Sequence, residues 1–252
     1  LLLTHLILTG YLEEHFYMKK ILKKIIPTKF WKEPNSLYSL KFRKYAGKYY
    51  SQEGEDILLS KIFEDKETGF FVDVGAHHPK RFSNTFLLYK RGWHGINIDP
   101  LPGSMNLFKK IRPRDTNLEI AVSEKEQELT YYLFNEPALN GFLKTISMQH
   151  QNEHYNIKKA IKVPSLPLSK ILANHLPKRQ IIDVLNVDVE GLDLEVLKSN
   201  DWQNYRPKII LVEILYSRLN AIKREPIYNF LEKLGYSLVS KLFHTCIFKS
   251  SD

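Results

Sequence analysis

Cysteine is almost absent. Cys246 is the only one in 252 residues, so no internal disulfide can form and a secreted scaffold held by cross-links is excluded. Its setting, His244-Thr245-Cys246-Ile247-Phe248, reads as buried strand, and a reducing, cytoplasmic compartment is expected. Long hydrophobic runs are also missing: the apolar start Leu1 to Leu8 is short and interrupted by Thr4 and His5, too little to span a bilayer. Glycine is sparse where phosphates would require it, since no G-x-G-x-x-G occurs and a pyrophosphate is poorly provided for. Neither C-x-x-C nor D-x-D occurs, so no metal is expected. No Asn/Asp-Pro-Pro-aromatic sequence, which marks base-flipping methyl transfer, is found either.

Positive charge is plentiful but confined. Met18 to Tyr50 holds ten Lys or Arg against Glu33 alone, a balance of +9, and residues 1–17 contribute −2 through Glu13 and Glu14. With a whole-chain charge of +9, only +2 remains after Tyr50. The basic character therefore belongs to an N-terminal extension, residues 1–50, and not to the body, residues 51–252, which argues against a nucleic-acid partner. Met18-Lys19-Lys20 reads as a natural start, so residues 1–17 are set aside as upstream sequence. Met18, Ile21, Leu22, Ile25 and Ile26 recur at helical spacing opposite Lys19, Lys20, Lys23 and Lys24. Residues 18–26 thus read as a basic amphipathic helix, which could pack on the body, rest on an anionic membrane at its inner face, or touch a polyanion such as nucleic acid.

The body is organised around Phe70 to Pro100. Phe70 to Val74 is aromatic and β-branched, as in a strand buried on both faces of a parallel sheet. Gly75 and Ala76 keep bulk out of the following turn, so backbone N–H groups could approach a ligand. A helix over about Asn84 to Arg91 stops at Gly92, and a strand from Trp93 to Ile98 ends in Asp99. Glycine at one strand tip and a carboxylate at the next form the βαβ nucleotide arrangement, with the acid on two ribose hydroxyls. S-adenosylmethionine, which has a ribose and an adenine but no phosphate, suits this single glycine better than a nicotinamide dinucleotide does. The bland alternative is an ordinary α/β turn with a surface aspartate.

Around this unit, Ser51 reads as the N-cap of a helix with Glu53, Glu55 and Asp56 in its first turn. A helix follows Ser104, a strand Leu118 to Val122, and a further strand through Leu129, Tyr131 and Leu133. Residues 135–160 have no clear period and read as a lid or substrate loop. Beyond them come a helix Pro167 to Leu176, a strand Gln180 to Val187 ending at Asp188, a helix Glu190 to Lys198, a strand Pro207 to Ile214 and a helix Pro226 to Leu234. Two last strands, about Tyr236 to Lys241 and His244 to Lys249, are joined too briefly for a crossover and must pair antiparallel. The whole is a three-layer α/β sandwich with ligands beyond the carboxyl ends of its strands.

Several segments together, SQEGEDILL (51–59), FVDVGAHHPKRFSNTFLLYKRGWHGINIDP, AVSE (121–124), DVLNVDVEGLDLEVLKS (183–199) and IILVEI (209–214), resemble the FkbM-like family of S-adenosylmethionine-dependent methyltransferases. The resemblance implies a Rossmann-like methyltransferase fold, with a mostly parallel seven-stranded sheet whose last strand is antiparallel. It implies cofactor contacts from Asp73, Gly75 and Ala76 in the first loop, from Asp99 on the ribose, from Ala121 and Val122 near the adenine, and from Asp188 near the methionine end; His77, beside Ala76, is a further expected cofactor contact. It also favours O-methylation of a sugar, a glycan or another small molecule. The departure from the family pattern is His78-Pro79, where many relatives carry glycine or a small residue.

Methyl transfer to a hydroxyl requires alignment and removal of one proton. The candidates by position are Asp188, Glu190 and Glu213, with His77 or His78 as imidazole alternatives, and Asp188, Glu190 and His78 are the residues expected to be catalytic. Asp188 could instead hold the cofactor amine, and Glu190 could be a first-turn acid stabilised by its helix. Rival readings are a nucleic-acid methyltransferase, a non-catalytic nucleotide-binding module at a membrane, and an NAD-dependent sugar enzyme.

Overall fold

The computed structural model describes residues 47–142, 154–215 and 218–251. The basic segment 18–26 lies outside them. Residues Leu1–Lys48 form a unit apart from Tyr49–Asp252, and only the second is described here.

Its elements are α1 (Glu55–Ile62), β1 (Phe70–Val74), α2 (Phe86–Lys90), β2 (His94–Ile98), α3 (Ser104–Ile111), β3 (Thr116–Leu118), β4 (Ala121–Val122), β5 (Gln127–Phe134), β6 (Ile157–Leu166), α4 (Leu168–His175), β7 (Val184–Val187), α5 (Asp193–Lys198), β8 (Ile209–Glu213), α6 (Pro226–Lys233), β9 (Tyr236–Lys241) and β10 (Thr245–Ser250). Seven strands make one sheet in the order β3-β2-β1-β7-β8-β10-β9. Its first five strands run parallel, and β10 is antiparallel to both neighbours. The order reverses between β1 and β7, the point at which α/β sheets open a crevice beyond their strand ends.

The central strands read as unbroken apolar runs because both faces are covered. Phe70, Val72, Leu185, Val187, Ile210, Val212 and Phe248 pack with Leu168, Ile171, Leu172, Val196, Leu197 and Leu231 of α4, α5 and α6. On the opposite face Phe71, Val184, Ile209, Leu211 and Ile247 pack with Leu59 and Phe63 near α1 and with Phe86, Leu88 and Tyr89 near α2. The expected three layers are present. Among the described residues no helix is long and apolar enough to cross a membrane.

Several boundaries differ from expectation. The stretch Leu118 to Val122 is not one strand. Thr116–Leu118 pairs with β2, whereas Ala121–Val122 leaves the main sheet and pairs with β6 in a second sheet ordered β4-β6-β5. Part of the expected 135–160 loop is strand: β6 begins at Ile157 and pairs along β5. Residues 143–153 lie outside the described residues. Ser51 does not open α1 directly. Gly54 precedes that helix, and the Ser51 hydroxyl bonds Asp56 Oδ1 at 2.7 Å while accepting the Asp56 N–H at 3.4 Å.

Candidate active site

The carboxyl ends of β1, β2, β7 and β8 open into a cavity of about 250 Å³. Asp73, Gly75, Ala76, His77, Asp99, Asn186, Asp188, Glu190 and Glu213 all line it. The opposite wall comes from the second sheet and the turn after it, with Tyr131, Pro137, Ala138, Leu139, Asn140 and Phe142. A third side is the segment before α1, where Glu53 accepts the His244 N–H at 3.1 Å and meets the His244 Nδ1 at 2.7 Å. Beside it, Glu55 accepts the Thr245 hydroxyl at 3.0 Å.

Gly75 sits at φ 82°, where side chains are disfavoured, and a Cβ there would stand 1.7 Å from the Asp188 carbonyl oxygen. The close approach that demands glycine is therefore made by the chain itself, where the β1 and β7 loops meet. The N–H groups of Gly75 and Ala76 both donate to the Ile98 carbonyl, at 2.9 and 3.0 Å. They are spent on the fold, which corrects the expectation that they face a ligand.

Asp99 is 5% exposed. One oxygen accepts the His77 N–H at 3.0 Å and the other the Leu101 N–H at 2.9 Å. Each oxygen keeps a second lone pair, as a ribose diol requires. Burial outweighs these bonds and raises its pKa to about 6. His77 has a left-handed backbone at φ 50°, and burial, reinforced by Arg81, lowers its imidazole to about 4. It is neutral at pH 7. His78 does not line the cavity. Its Nδ1 accepts the N–H groups of Lys80 and Arg81 at 3.0 and 2.9 Å, so the sequence-based role as base gives way to one of closing its own loop.

Glu190 is not in the first turn of α5, as the helical pattern suggested. The helix starts at Asp193, and Glu190 and Gly191 lie in a turn with φ of 53° and 104°. Asp193, the first residue of the helix, fastens this turn by accepting the Val189 and Gly191 N–H groups at 3.2 and 3.1 Å. This turn frees the Glu190 carboxylate for the cavity, where ligand atoms of Asp188, Glu190 and Glu213 lie within 4.8 Å of one another. Glu213 Oε2 is buried and has no hydrogen-bond partner. Burial and mutual repulsion raise Asp188 and Glu213 well above the carboxylate range, and burial with Asp193 raises Glu190 to about 7. Such a trio can take up a proton, hold an ammonium or ligate a divalent cation. The motif-based reading had no signal for that last option, because the three acids come from two strand ends and a turn. A His-x-x-x-His pair, His150 and His154, does occur in the sequence, but His150 is outside the described residues.

Ala121 and Val122 do not line the cavity. Val122 joins the main core, and Ala121 packs behind Tyr131 together with Leu101 and Phe142. Tyr131 is the wall residue that sequence reading missed. It is 5% exposed, its ring centroid lies 4.8 Å from that of Phe142, and burial together with the nearby Asp99 charge raises its hydroxyl pKa. Seven carboxylates line the cavity, Glu53, Glu55, Asp73, Asp99, Asp188, Glu190 and Glu213, and no Lys or Arg is found among the described lining residues.

A family model described as the methyltransferase FkbM domain matches residues 73–238. No curated protein matches the chain. Among solved structures, a Pyrococcus horikoshii protein described as a candidate RNA methyltransferase aligns over 78% of this chain and 83% of its own, at 10% identity and a TM-score of 0.35. That similarity is too low to inform substrate or mechanism.

Proposed function

The chain belongs to the FkbM methyltransferase family, and from that premise we propose that it moves a methyl group from S-adenosylmethionine to a hydroxyl of a sugar, a glycan or another small molecule. The observation that carries this reading is the acidity of the cavity: seven Asp or Glu side chains, which a bound cation would ionise, and no lining Lys or Arg among the described residues. Such a surface attracts a sulfonium and an ammonium and repels phosphate. It therefore speaks against NAD and against a nucleic-acid backbone. The bound donor supplies an electrophilic methyl on a positively charged sulfur.

The residues present fit that donor. Asp99 has lone pairs for the ribose hydroxyls, Tyr131 and Phe142 offer an aromatic wall for the adenine, and Asp188, which an adjacent ammonium would favour in its ionised form, offers the counter-charge. Glu190 serves as the base, because a group raised to about 7 is matched to proton transfer near neutral pH. With the donor bound, Glu190 would take the proton of the acceptor hydroxyl, whose oxygen the donor would methylate with its sulfur as the leaving group. Incubating the full chain with S-adenosylmethionine and a panel of neutral sugars tests this, read by mass spectrometry for methylated product and S-adenosylhomocysteine in equal amounts. Release of the latter without any methylated acceptor in the panel would count against a hydroxyl acceptor of this class.

A further inference from the structure

Beneath the cavity floor lies a buried polar cluster that reaches the cavity at Asp73, Asn84 and Asn186. Asp73 on β1 stands opposite Asn186 on β7 and Asn97 on β2, all on the face covered by α1 and α2. Asn84 Nδ2 donates to Asn186 Oδ1 at 2.9 Å, and Asn186 Nδ2 donates to Asp73 Oδ1 at 2.9 Å. The Thr85 hydroxyl donates to Asp73 Oδ2 at 2.6 Å and accepts from Arg112 Nη1 at 3.0 Å. Arg112 and Thr85 are 0% exposed. The guanidinium packs against the rings of Phe71, Tyr89 and Phe108, at 4.9, 5.2 and 5.8 Å from their centroids, and Arg112 Nε pairs with Asp115 at 2.7 Å.

The direction of these bonds carries the argument. Arg112 can only donate, so the single Thr85 proton is turned toward Asp73. The Asn84–Asn186 chain also ends in a donor to Asp73. Both lines converge on Asp73 as an acceptor, an arrangement that favours its ionised form over the protonated one. Asp115 neutralises Arg112, so the cluster keeps one negative charge in excess, and Asp73 presents it to the cavity.

We propose that Arg112 and Thr85, neither of which lines the cavity, are positioning residues: Arg112, acting through the Thr85 hydroxyl, holds Asp73 as a carboxylate at the cavity floor to receive the positive end of the methyl donor. This rests on S-adenosylmethionine being the cofactor. The charged groups facing Asp73 are Arg112 and Asp115 at the end of α3, Asp99 after β2 and Asp188 after β7. Burial opposes ionisation of Asp73, and Arg112 and the Thr85 and Asn186 bonds favour it. Removing the Thr85 hydroxyl therefore makes Asp73 protonate at higher pH.

The test is Thr85→Val in the full chain, with Thr85→Ser as the conservative variant and S-adenosylhomocysteine as the probe. Affinity is measured by calorimetry across the pH range in which the protein stays folded, as the ratio of wild type to variant, so that titration of the probe itself cancels. For a shift of about one pH unit in Asp73 the loss grows as pH falls, toward tenfold where Asp73 is protonated in both proteins, and vanishes where it is ionised in both, and Thr85→Ser stays near wild type throughout. A ratio that is the same at every pH overturns the proposal, because mere damage to the fold has no reason to follow Asp73. Unfolding midpoints without ligand provide an independent arm. The gap between wild type and Thr85→Val should widen as pH rises, since the lost bonds favour the charged form; a gap independent of pH overturns the proposal even if wild type ignores the probe, and that second failure belongs to the cofactor reading alone. Should Thr85→Val not fold, Arg112→Lys, which keeps a cation beside Asp115, is judged by the same two criteria.

Discussion

A methyl group at position 75 would overlap the carbonyl oxygen of Asp188, its Cβ lying 1.7 Å away. The glycine therefore fixes the separation of the β1 and β7 loops, and with it the place of the Asp188 carboxylate. Gly75→Ala should destabilise the fold by more than about 2 kcal/mol, combining backbone strain at positive φ with forced displacement of the β7 loop. Urea titration checks this. A stability loss under about 1 kcal/mol, no more than backbone strain alone would cost, would show that the loops separate freely.

The acidic cavity has a pH signature of its own. Asp99 and Asp193 are raised to about 6, Glu190 to about 7, and Asp73, Asp188 and Glu213 are also raised. A carboxyl whose folded pKa exceeds its unfolded value holds its proton more tightly when folded, so its contribution is complete near pH 4 and is lost as pH climbs through the folded value. The ligand-free protein should melt at a lower temperature at pH 8 than at pH 5.5. A saturating cationic donor should reduce that difference. A melting temperature that rises over this range would mean that the carboxylates are compensated by groups other than a ligand.

Much of this was legible from residues, and the exceptions have physical causes. The strands β1, β7 and β8 announce themselves because both faces are buried, so FFVDV, VLNV and IILVE leave no polar alternation to confuse with a helix. Asp99 and Asp188 were recognisable as strand-end acids. β6 was not, because IKKAIKVPSL is exposed over much of its first half, where Lys158, Lys159 and Lys162 obscure the short apolar alternation of Ile161 and Val163. Glu190 was misplaced because the apolar spacing of α5 runs back smoothly through it, and a left-handed turn at Glu190-Gly191 is written only in the glycine. Tyr131 was visible as part of an alternating strand, yet its role depends on a second sheet folding over the cavity, which no local pattern encodes.

Asp188 and Glu190 should separate by what their loss removes. Asp188→Asn should weaken S-adenosylmethionine binding by about tenfold or more, the worth of one charge-assisted hydrogen bond, with turnover at saturation largely kept. Glu190→Gln should keep affinity and lower the maximal rate by about 10²- to 10⁴-fold. Reversed phenotypes would exchange the two roles.

The aromatic wall predicts a different pattern. Phe142→Ala, at a half-buried position, should weaken binding of 5′-methylthioadenosine and of S-adenosylhomocysteine by the same factor, about five- to tenfold from lost stacking. Asp188→Asn should affect only the second of these. If Phe142→Ala leaves both affinities unchanged, the adenine lies elsewhere.

The central claim is that the acidic cavity takes a cationic methyl donor and refuses phosphate, and calorimetry on the full chain tests it most directly. S-adenosylmethionine should bind, with affinity at pH 7 above that for S-adenosylhomocysteine because the sulfonium charge is present only in the former, and NAD should give no heat at the same concentrations. NAD binding more tightly than S-adenosylmethionine would contradict the account.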